Sequence, residues 1–152
     1  QQQIMCPCEI DGCDHVIDYT TENFTLRVRD ITGGEGVPVV SDGVGKDTFT
    51  GSLDCLRPMG MMVSYGNASG PVPPVDLIQL SQKGSLFITR PTLMSYTAKR
   101  ADLLALGTEL FDRVASGQVR VEINQRYALR DAAQAHRDLE ARRTTGSTIL
   151  LP

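Results

Sequence analysis

The chain up to Pro91 alternates between short apolar runs and stretches with helical periodicity. The apolar runs lack polar–apolar alternation, which is typical of strands buried on both faces of a parallel sheet. They are HVIDY (15–19), VPVVSD (37–42), MMVS (61–64) and SLFIT (85–89). Apolar residues at helical spacing predict three intervening helices. These lie within residues 20–36, 46–60 and 74–84, and the second is expected to end at Pro58. The resulting β-α-β-α-β-α-β order predicts an α/β fold with a parallel sheet.

Beyond Pro91 the pattern changes to a longer helix, an extended stretch, a second helix and a terminal strand. Gly117 stands where the C-terminal cap of the longer helix is expected. The apolar face of that helix consists of Leu103, Leu106, Leu110 and Val114. QVRVEINQRYAL is the extended stretch, RDAAQAHRDLEARR the second helix and GSTILLP the strand. The change of pattern predicts that residues 92–152 form a segment distinct from residues 1–91.

Two of the predicted strands run directly into small polar loops that contain glycine. DGVG (42–45) follows the second strand, and YGNASG (65–70) follows the third. Gly and Asn end strands in many proteins because they tolerate positive φ, so ordinary turns are one interpretation. The other interpretation is close approach to a ligand, because open parallel sheets bind ligands at the carboxyl ends of their strands. The position of both loops favours a ligand site at that edge.

The charge and composition argue against several classes of function. The 152 residues have a formal net charge of -3 and a pI of about 5.3, with acidic and basic residues interspersed. Because no basic stripe is present, a nucleic-acid partner is not expected. No apolar run approaches the ~20 residues of a transmembrane helix, and the first residues do not resemble a signal peptide. We therefore expect a cytoplasmic protein with no membrane association.

Neither a metal site nor a catalytic group is predicted from residue spacing. The four cysteines are Cys6, Cys8, Cys13 and Cys55. The first three are close together but form no CxxC pair, and His15 lies inside an apolar run, so we expect free thiols and no metal. His136 falls on the apolar face of its predicted helix, which favours a structural role. No nucleophile is paired with a base by spacing, so the catalytic residues stay unassigned.

Long stretches of the chain resemble one enzyme family. The stretches are HVIDY, ITGG, VVSDGVGKDTFTGSLDCLRPMGMMVSYGNASGPV, LIQLSQKGSLFITRPTL, ELFDRVASGQV and TTGSTILLP. They are similar to the cofactor-binding half of the zeta-crystallin-like quinone oxidoreductases, in the zinc-lacking branch of the medium-chain dehydrogenase/reductases. The resemblance runs from about Gly12 to Pro152. It implies a Rossmann domain joined to a GroES-like catalytic domain, and NADPH-dependent reduction of a quinone by hydride transfer.

The chain departs from the family pattern at its start. The glycine-rich fingerprint that holds the cofactor pyrophosphate is missing, and the first two strands are absent or at best partly replaced by QQQIMC. In the Rossmann strand order 3-2-1-4-5-6, the chain supplies strands 3–6, so residues 15–19 should not pair with residues 37–41. Residues 1–91 are thus predicted to be a partial cofactor-binding Rossmann domain, atypical at 1–11. Residues 92–152 would be the segment that returns to the missing GroES-like catalytic domain.

The resemblance implies a set of cofactor contacts. Tyr19 matches a position beside the adenine ribose and its phosphate, and Arg142 matches an arginine whose guanidinium reaches the cofactor phosphates. Gly43 and Val44 match the loop near the nicotinamide. The loop beside the nicotinamide ribose is matched by Tyr65, Gly66, Asn67, Ala68 and Ser69. Each of these residues also has an ordinary structural interpretation as part of a strand end, a turn or a solvated helix end.

Three functions are open at this point. The first is an NADPH:quinone oxidoreductase, represented by a cofactor-binding half that would be inactive alone. The second is a non-catalytic nucleotide-binding or dimerisation module. The third is a reductase of enones or other activated double bonds, which would take a different small electrophilic substrate. The outer strand, with Leu86, Phe87 and Ile88 in succession, also predicts a homodimer through residues 84–90.

Overall fold

The computed structural model describes residues 4–5 and 13–152 of the chain. These residues form two compact units, one ending at Ser95 and the other running from Tyr96 to Pro152. Parallel strand pairing occurs in both units. Apart from residues 4–5, the atypical stretch at 1–11 lies outside the described residues, as do Cys6 and Cys8.

The first unit alternates strands with short helices, as the sequence predicts. Its elements and the helix that leads out of it are β1 (Ile4–Met5), β2 (His15–Val16), α1 (Phe24–Ile31), β3 (Val37–Asp42), α2 (Phe49–Asp54), β4 (Leu56–Ser64), α3 (Ile78–Gln82), β5 (Phe87–Thr89) and α4 (Leu93–Tyr96). A three-stranded parallel sheet has the order β3-β4-β5, and a separate parallel pair is formed by β1 and β2. The predicted α/β fold, with a partial Rossmann-like parallel sheet, is confirmed.

The strand formed from the HVIDY stretch, β2, does not join the three-stranded sheet. Residues 15–16 lie opposite residues 4–5 in a parallel pair. Among the described strands, β3 pairs with β4 and not with β2. This agrees with the prediction that residues 15–19 would not pair with residues 37–41, because two further strands separate these positions in the complete strand order. Part of the QQQIMC stretch thus provides a neighbour for β2.

The core of the first unit consists of two apolar clusters that share residues of β3. Val37 and Val40 are partly buried and pack against both clusters. The buried members of the first cluster are Phe49, Leu53, Leu56, Met62 and Leu86, and those of the second are Ile17, Val28 and Cys55. Because β3 contacts both clusters, its residues do not follow the polar–apolar alternation of a half-exposed strand.

The predicted end of the second helix is wrong. The helix was expected to continue to Pro58, but α2 ends at Asp54 and β4 begins at Leu56. The pairing explains how a strand accommodates this segment: β3 advances from residue 37 to 39 while β4 advances from 56 to 61. The extra residues form an irregularity in which Met59 has a φ of 58°. Proline is tolerated at such a bulge because its missing N–H breaks no regular ladder bond.

The Arg29 side chain donates hydrogen bonds to several backbone carbonyls at the amino ends of β3 and β4. Its Nε and Nη2 donate to the Asp54 carbonyl at 3.0 and 2.6 Å, and Nη2 also donates to the Leu56 carbonyl at 3.0 Å. Its Nη1 donates to the carbonyls of Gly34 and Glu35 at 2.9 and 3.0 Å. Only a guanidinium presents five N–H donors in one plane, so this side chain joins the end of α2 to the segment before β3.

The second unit contains a long helix and a parallel strand pair connected through a shorter helix. Its elements are α5 (Arg100–Ala115), β6 (Ile123–Ala128), α6 (Ala132–Glu140) and β7 (Ser147–Leu151), and a single 3₁₀ turn spans Leu129–Asp131. β6 pairs with β7, and the Tyr127 hydroxyl donates to the Asp138 carboxylate at 3.0 Å, which joins β6 to α6. Within the part of the chain that the structure describes, no helix is long and apolar enough to cross a membrane.

Two helices of the second unit are more exposed than their sequence pattern suggests. None of the residues of α5 is buried, including its apolar face of Leu103, Leu106, Leu110 and Val114. In α6 only Ala135 is buried, and His136 is exposed, so the expected place of this histidine on a packed apolar face is wrong. Helical spacing identifies an apolar face, but it does not show what covers that face, and within the described residues the apolar side chains of α5 stay exposed.

We expect Arg29→Ala to lower the free energy of unfolding by about 2–3 kcal/mol, because several partly buried carbonyls would lose their donor. Arg27→Ala is the matched control on the same helix, since the exposed Arg27 side chain makes only surface ion pairs with Glu22 and Asp30. The control should cost at most about 0.5 kcal/mol. Urea unfolding measures both values, and equal losses in the two variants would contradict the role given to Arg29.

Candidate functional site

Two loops at the carboxyl ends of neighbouring strands lie against each other. The β3 loop comprises residues 43–46 and the β4 loop residues 65–70. The Ser69 N–H donates to the Val44 carbonyl at 2.8 Å, and the Ala68 N–H donates to the Gly43 carbonyl at 3.3 Å. The Lys46 N–H also donates to the carbonyl of Gly70, the last residue of the β4 loop, at 3.1 Å. The structure therefore brings together the predicted site residues Gly43, Val44, Tyr65, Gly66, Asn67, Ala68 and Ser69.

The glycines of these loops are required by the contact between the loops. A Cβ built on Gly66 would lie 2.1 Å from the Gly43 carbonyl oxygen, so no side chain fits at Gly66. Gly45 has a φ of 91°, and a Cβ there would lie 2.7 Å from the carbonyl oxygen of Gly70. Both loops must approach closely to exchange hydrogen bonds, which explains the abrupt change from apolar strand to small residues.

The side chain of Asp42, the last residue of β3, is buried beneath the β3 loop. The residue is 5% exposed. Its Oδ1 accepts hydrogen bonds from the N–H groups of Val44 and Gly45 at 2.8 and 3.0 Å. Its Oδ2 accepts from the hydroxyls of Thr48 and Ser52 at 2.7 and 2.8 Å. Burial raises the pKa of this carboxyl, but the hydrogen bonds it accepts outweigh burial and hold its pKa below the usual 3.8, so Asp42 is ionised at neutral pH.

Tyr65 covers Gly43 and is itself open to solvent. Its N–H donates to the Asp42 carbonyl at 2.9 Å, which places the residue directly after the β3–β4 ladder. A Cβ on Gly43 would lie 3.0 Å from the ring and hydroxyl of Tyr65, so the ring rests on the glycine. The residue is 59% exposed. An aromatic surface at the carboxyl edge of a parallel sheet is suited to contact a flat ligand group.

Sequence reasoning missed two side chains that hold this site together. From the sequence, Asp42 is assigned only to the end of a strand and the turn after it, although Thr48 and Ser52 stand four residues apart, as on one face of a helix. Arg90, just after β5, donates from Nη1 to the Ser64 hydroxyl and to the Gly66 carbonyl, both at 3.2 Å. No sequence signal connects Arg90 to the β4 loop, because the contact depends on β5 pairing beside β4.

Ser69 connects the two loops through its side chain. Its hydroxyl donates to the Val44 carbonyl at 2.9 Å and accepts from the Asp47 N–H at 3.0 Å. With both bonds made, this hydroxyl serves the arrangement of the loops themselves.

Tyr19 and Arg142 lie outside the joined loops. Tyr19 follows β2 in a turn organised by Asp18, whose Oδ1 accepts from the Thr20 N–H at 2.9 Å. Arg142 belongs to the second unit, where it is exposed just beyond the end of α6. It has a φ of 55°, a left-handed conformation that costs a non-glycine residue about 1–2 kcal/mol.

The described residues do not provide a metal site. No group of three or more His, Cys, Asp or Glu residues among them is placed to hold a metal ion. Cys55 is buried, and burial raises the pKa of its thiol to about 11, so it is uncharged at neutral pH. A concavity of about 770 Å³ lies along α5, lined by residues such as Leu104, Thr108 and Asp112, and it contains none of the predicted site residues.

The chain is similar to a well-populated group of reductases. A family model described as zinc-binding dehydrogenase matches residues 12–150. The quinone oxidoreductase of Pseudomonas aeruginosa is 57% identical over 93% of this chain and 43% of its own length. The 2-haloacrylate reductase of a Burkholderia species is 47% identical over 93% of this chain and 43% of its own length. The chain thus spans less than half the length of these curated relatives.

Solved structures lead to the same family. The quinone oxidoreductase of Escherichia coli complexed with NADPH has a TM-score of 0.86 and 48% identity, covering 93% of this chain and 44% of that one. The expected resemblance to quinone oxidoreductases is therefore confirmed. Although the family description names zinc, the described residues do not fit a zinc site. Because the match extends over residues 12–150, the chain belongs to the zinc-binding dehydrogenase family.

Proposed function

We propose that the chain is the cofactor-binding part of an NADPH-dependent oxidoreductase that reduces quinones. The observation that carries this proposal is the joined pair of loops at the carboxyl ends of β3 and β4, where open parallel sheets bind ligands. The NADPH complex of the Escherichia coli relative, which is similar over 93% of this chain, supports the choice of cofactor. The chain covers 44% of that structure, so the complete reaction is proposed for a protein of the relatives' full length.

In this proposal the two loops bind and orient the cofactor. Gly43 and Val44 lie near the nicotinamide, and the stretch from Tyr65 through Gly66, Asn67 and Ala68 to Ser69 lies beside its ribose. The bound cofactor supplies the hydride, and the protein's contribution is placement and exclusion of water. The exposed ring of Tyr65, which rests on Gly43, is suited to exclude water from one side of a bound ring. Ser69 contributes by keeping the loops together, since its hydroxyl bonds to their backbone.

Arg142 and Tyr19 would bind the phosphate-bearing end of the cofactor. The conformation of Arg142 supports this assignment. The position after a helix C-cap is most often glycine, because a left-handed φ is strained for other residues. Arginine at a φ of 55° therefore costs stability, and a guanidinium that binds phosphate is a physical reason to keep it. Tyr19, in its turn after β2, would lie beside the adenine ribose.

A second candidate function is the reduction of activated carbon–carbon double bonds. The relative from Burkholderia, at 47% identity, is a 2-haloacrylate reductase, and its similarity covers the same 93% of this chain. Hydride transfer from the same cofactor would serve either substrate, so the proposed roles of the two loops are unchanged. The substrate class is decided by groups that face the electrophile.

We also propose a homodimer through residues 84–90. β5 pairs with β4 along one edge, and within the described residues no strand pairs with its other edge. Phe87 is 57% exposed, and Ile88 is exposed beside it. An apolar unpaired edge is a template for another strand. A second copy placed by a two-fold axis would add β5 antiparallel and make one sheet of both subunits.

We expect the 152 residues, purified alone, to reduce no quinone at a useful rate, because they contain only part of the site. The full-length protein should turn over at about 1 s⁻¹ or more with a quinone or an activated alkene. NADPH absorbance measures both. Comparable turnover by the 152 residues alone would contradict this proposal. A full-length protein that binds NADPH and reduces neither acceptor would instead be the non-catalytic module.

We expect Arg142→Gly to raise stability while weakening NADPH binding. Glycine relieves the left-handed strain, so the free energy of unfolding should increase by about 1 kcal/mol. Loss of the guanidinium should weaken NADPH binding about tenfold, as expected when one charge-assisted hydrogen bond is lost. Denaturant unfolding and calorimetry on the full-length protein measure the two effects separately.

Arg143→Ala is the matched control for charge, because Arg143 is the neighbouring cation and pairs only with Asp138 at 3.5 Å. It should change NADPH affinity less than twofold, because the Arg143 guanidinium is directed to Asp138 and an exposed ion pair of this kind contributes little. If both variants weaken NADPH equally, the effect is one of overall charge and the assignment of Arg142 fails.

We expect Phe87→Lys to convert the dimer to monomers, because a charged side chain would face its own copy across the two-fold axis. Leu26→Lys, on the exposed face of α1, places the same charge at another exposed apolar residue and should leave the dimer intact. Sedimentation of the full-length variants measures the result. A persistent dimer of the Phe87 variant would place the interface elsewhere.

A further inference from the structure

We propose that Asp42 is a positioning residue whose buried carboxylate holds the β3 and β4 loops in the arrangement that binds the cofactor. The inference rests on the proposed function, in which these loops hold NADPH. Asp42 itself is 5% exposed and lies beneath the β3 loop, so it acts through the loops and does not touch the cofactor. The geometry supports this in three steps.

The carboxylate first attaches the β3 loop to α2. One oxygen accepts the N–H groups of Val44 and Gly45 from the loop, and the other accepts the hydroxyls of Thr48 and Ser52 at the start and middle of α2. No lysine, arginine or histidine of the described residues forms an ion pair with it. Its negative charge is therefore stabilised by these hydrogen bonds, and a shift of the loop would leave it partly unsatisfied.

The position of the β3 loop next determines the position of the β4 loop. The Asp42 carbonyl accepts the N–H groups of Tyr65 and Gly66 at 2.9 and 3.3 Å. The Val44 carbonyl accepts both the N–H and the hydroxyl of Ser69, at 2.8 and 2.9 Å. Residues at both ends of the β4 loop thus depend on the segment that the carboxylate holds.

The packing between the loops finally leaves no room for independent movement. Gly66 approaches Gly43 so closely that a Cβ would lie 2.1 Å from the Gly43 carbonyl oxygen. The Tyr65 ring rests on the same glycine. A displacement of Gly43 must therefore move Tyr65 and Gly66 as well, so that loss of the carboxylate alters the whole surface offered to the cofactor.

The test compares three variants of the full-length protein: Asp42→Ala, Asp42→Asn and Leu53→Ala. Asparagine keeps an oxygen for the Val44 and Gly45 N–H groups and presents an amide to the two hydroxyls, so it should preserve the loops. Leu53 is 1% exposed in the first apolar cluster, so its truncation is a control for lost stability alone. Amide hydrogen exchange of the cofactor-free protein measures how well the backbone of the two loops is protected. Fluorescence titration with NADPH measures the affinity for the cofactor.

We expect Asp42→Ala to speed exchange at residues 43–46 and 65–70 together and to weaken NADPH about tenfold or more, since misplaced binding groups are costly. Asp42→Asn should rescue affinity to within about threefold, as expected when most of the hydrogen bonds remain. Leu53→Ala should lower the unfolding temperature and leave NADPH affinity unchanged. If Asp42→Ala does not fold, the combined variant Thr48→Val and Ser52→Ala, which removes both hydroxyls from Oδ2, replaces it with smaller effects of the same kind.

Two results would overturn the inference. One is faster exchange confined to the β3 loop, which would show that the β4 loop does not depend on Asp42. The other is an equal loss of NADPH affinity in Leu53→Ala and Asp42→Ala, which would reduce the role to stability. A wild-type protein that binds no NADPH would overturn the proposed function and the cofactor part of this inference. The exchange data would still decide whether the carboxylate couples the loops.

Discussion

The parallel pairing of β3 with β4 is the interaction on which the first unit depends. It aligns the carboxyl ends of the two strands, so the loops that follow them meet and exchange hydrogen bonds. It also carries Val37 and Val40, which pack against both apolar clusters. The same strand pair also accommodates the irregular start of β4, where four residues of β4 (57–60) lie opposite a single residue of β3 (38).

At each end of this strand pair, one charged side chain forms hydrogen bonds with the neighbouring backbone. At the amino end, the Arg29 guanidinium donates to carbonyls on both sides of the pair. At the carboxyl end, the Asp42 carboxylate accepts N–H groups and hydroxyls from the β3 loop and α2. Buried polar groups must be paired, and among the described residues no buried side-chain nitrogen or oxygen lacks a partner. The two side chains are complementary, since one provides only donors and the other only acceptors.

Packing explains some of the predicted site residues and leaves others unexplained. Gly45, Gly66 and Ser69 are explained by contact between the loops. The exposed ring of Tyr65 and the left-handed backbone of Arg142 are not explained by packing, which supports the proposal that both residues contact the cofactor. The family membership supports the proposal that the chain binds a cofactor.

The sequence by itself determined the order of strands and helices, the parallel sheet and the position of the two glycine loops. These follow from local periodicity and from residue types whose preferences act within a few positions. Only the tertiary structure decided that β2 pairs with residues 4–5, that α2 ends at Asp54, and that Asp42 and Arg90 form hydrogen bonds with the loops. Each of these features depends on strand register or on contacts between distant segments. Such contacts leave no periodic signal in the chain, because any residue with a suitable donor or acceptor could have formed them.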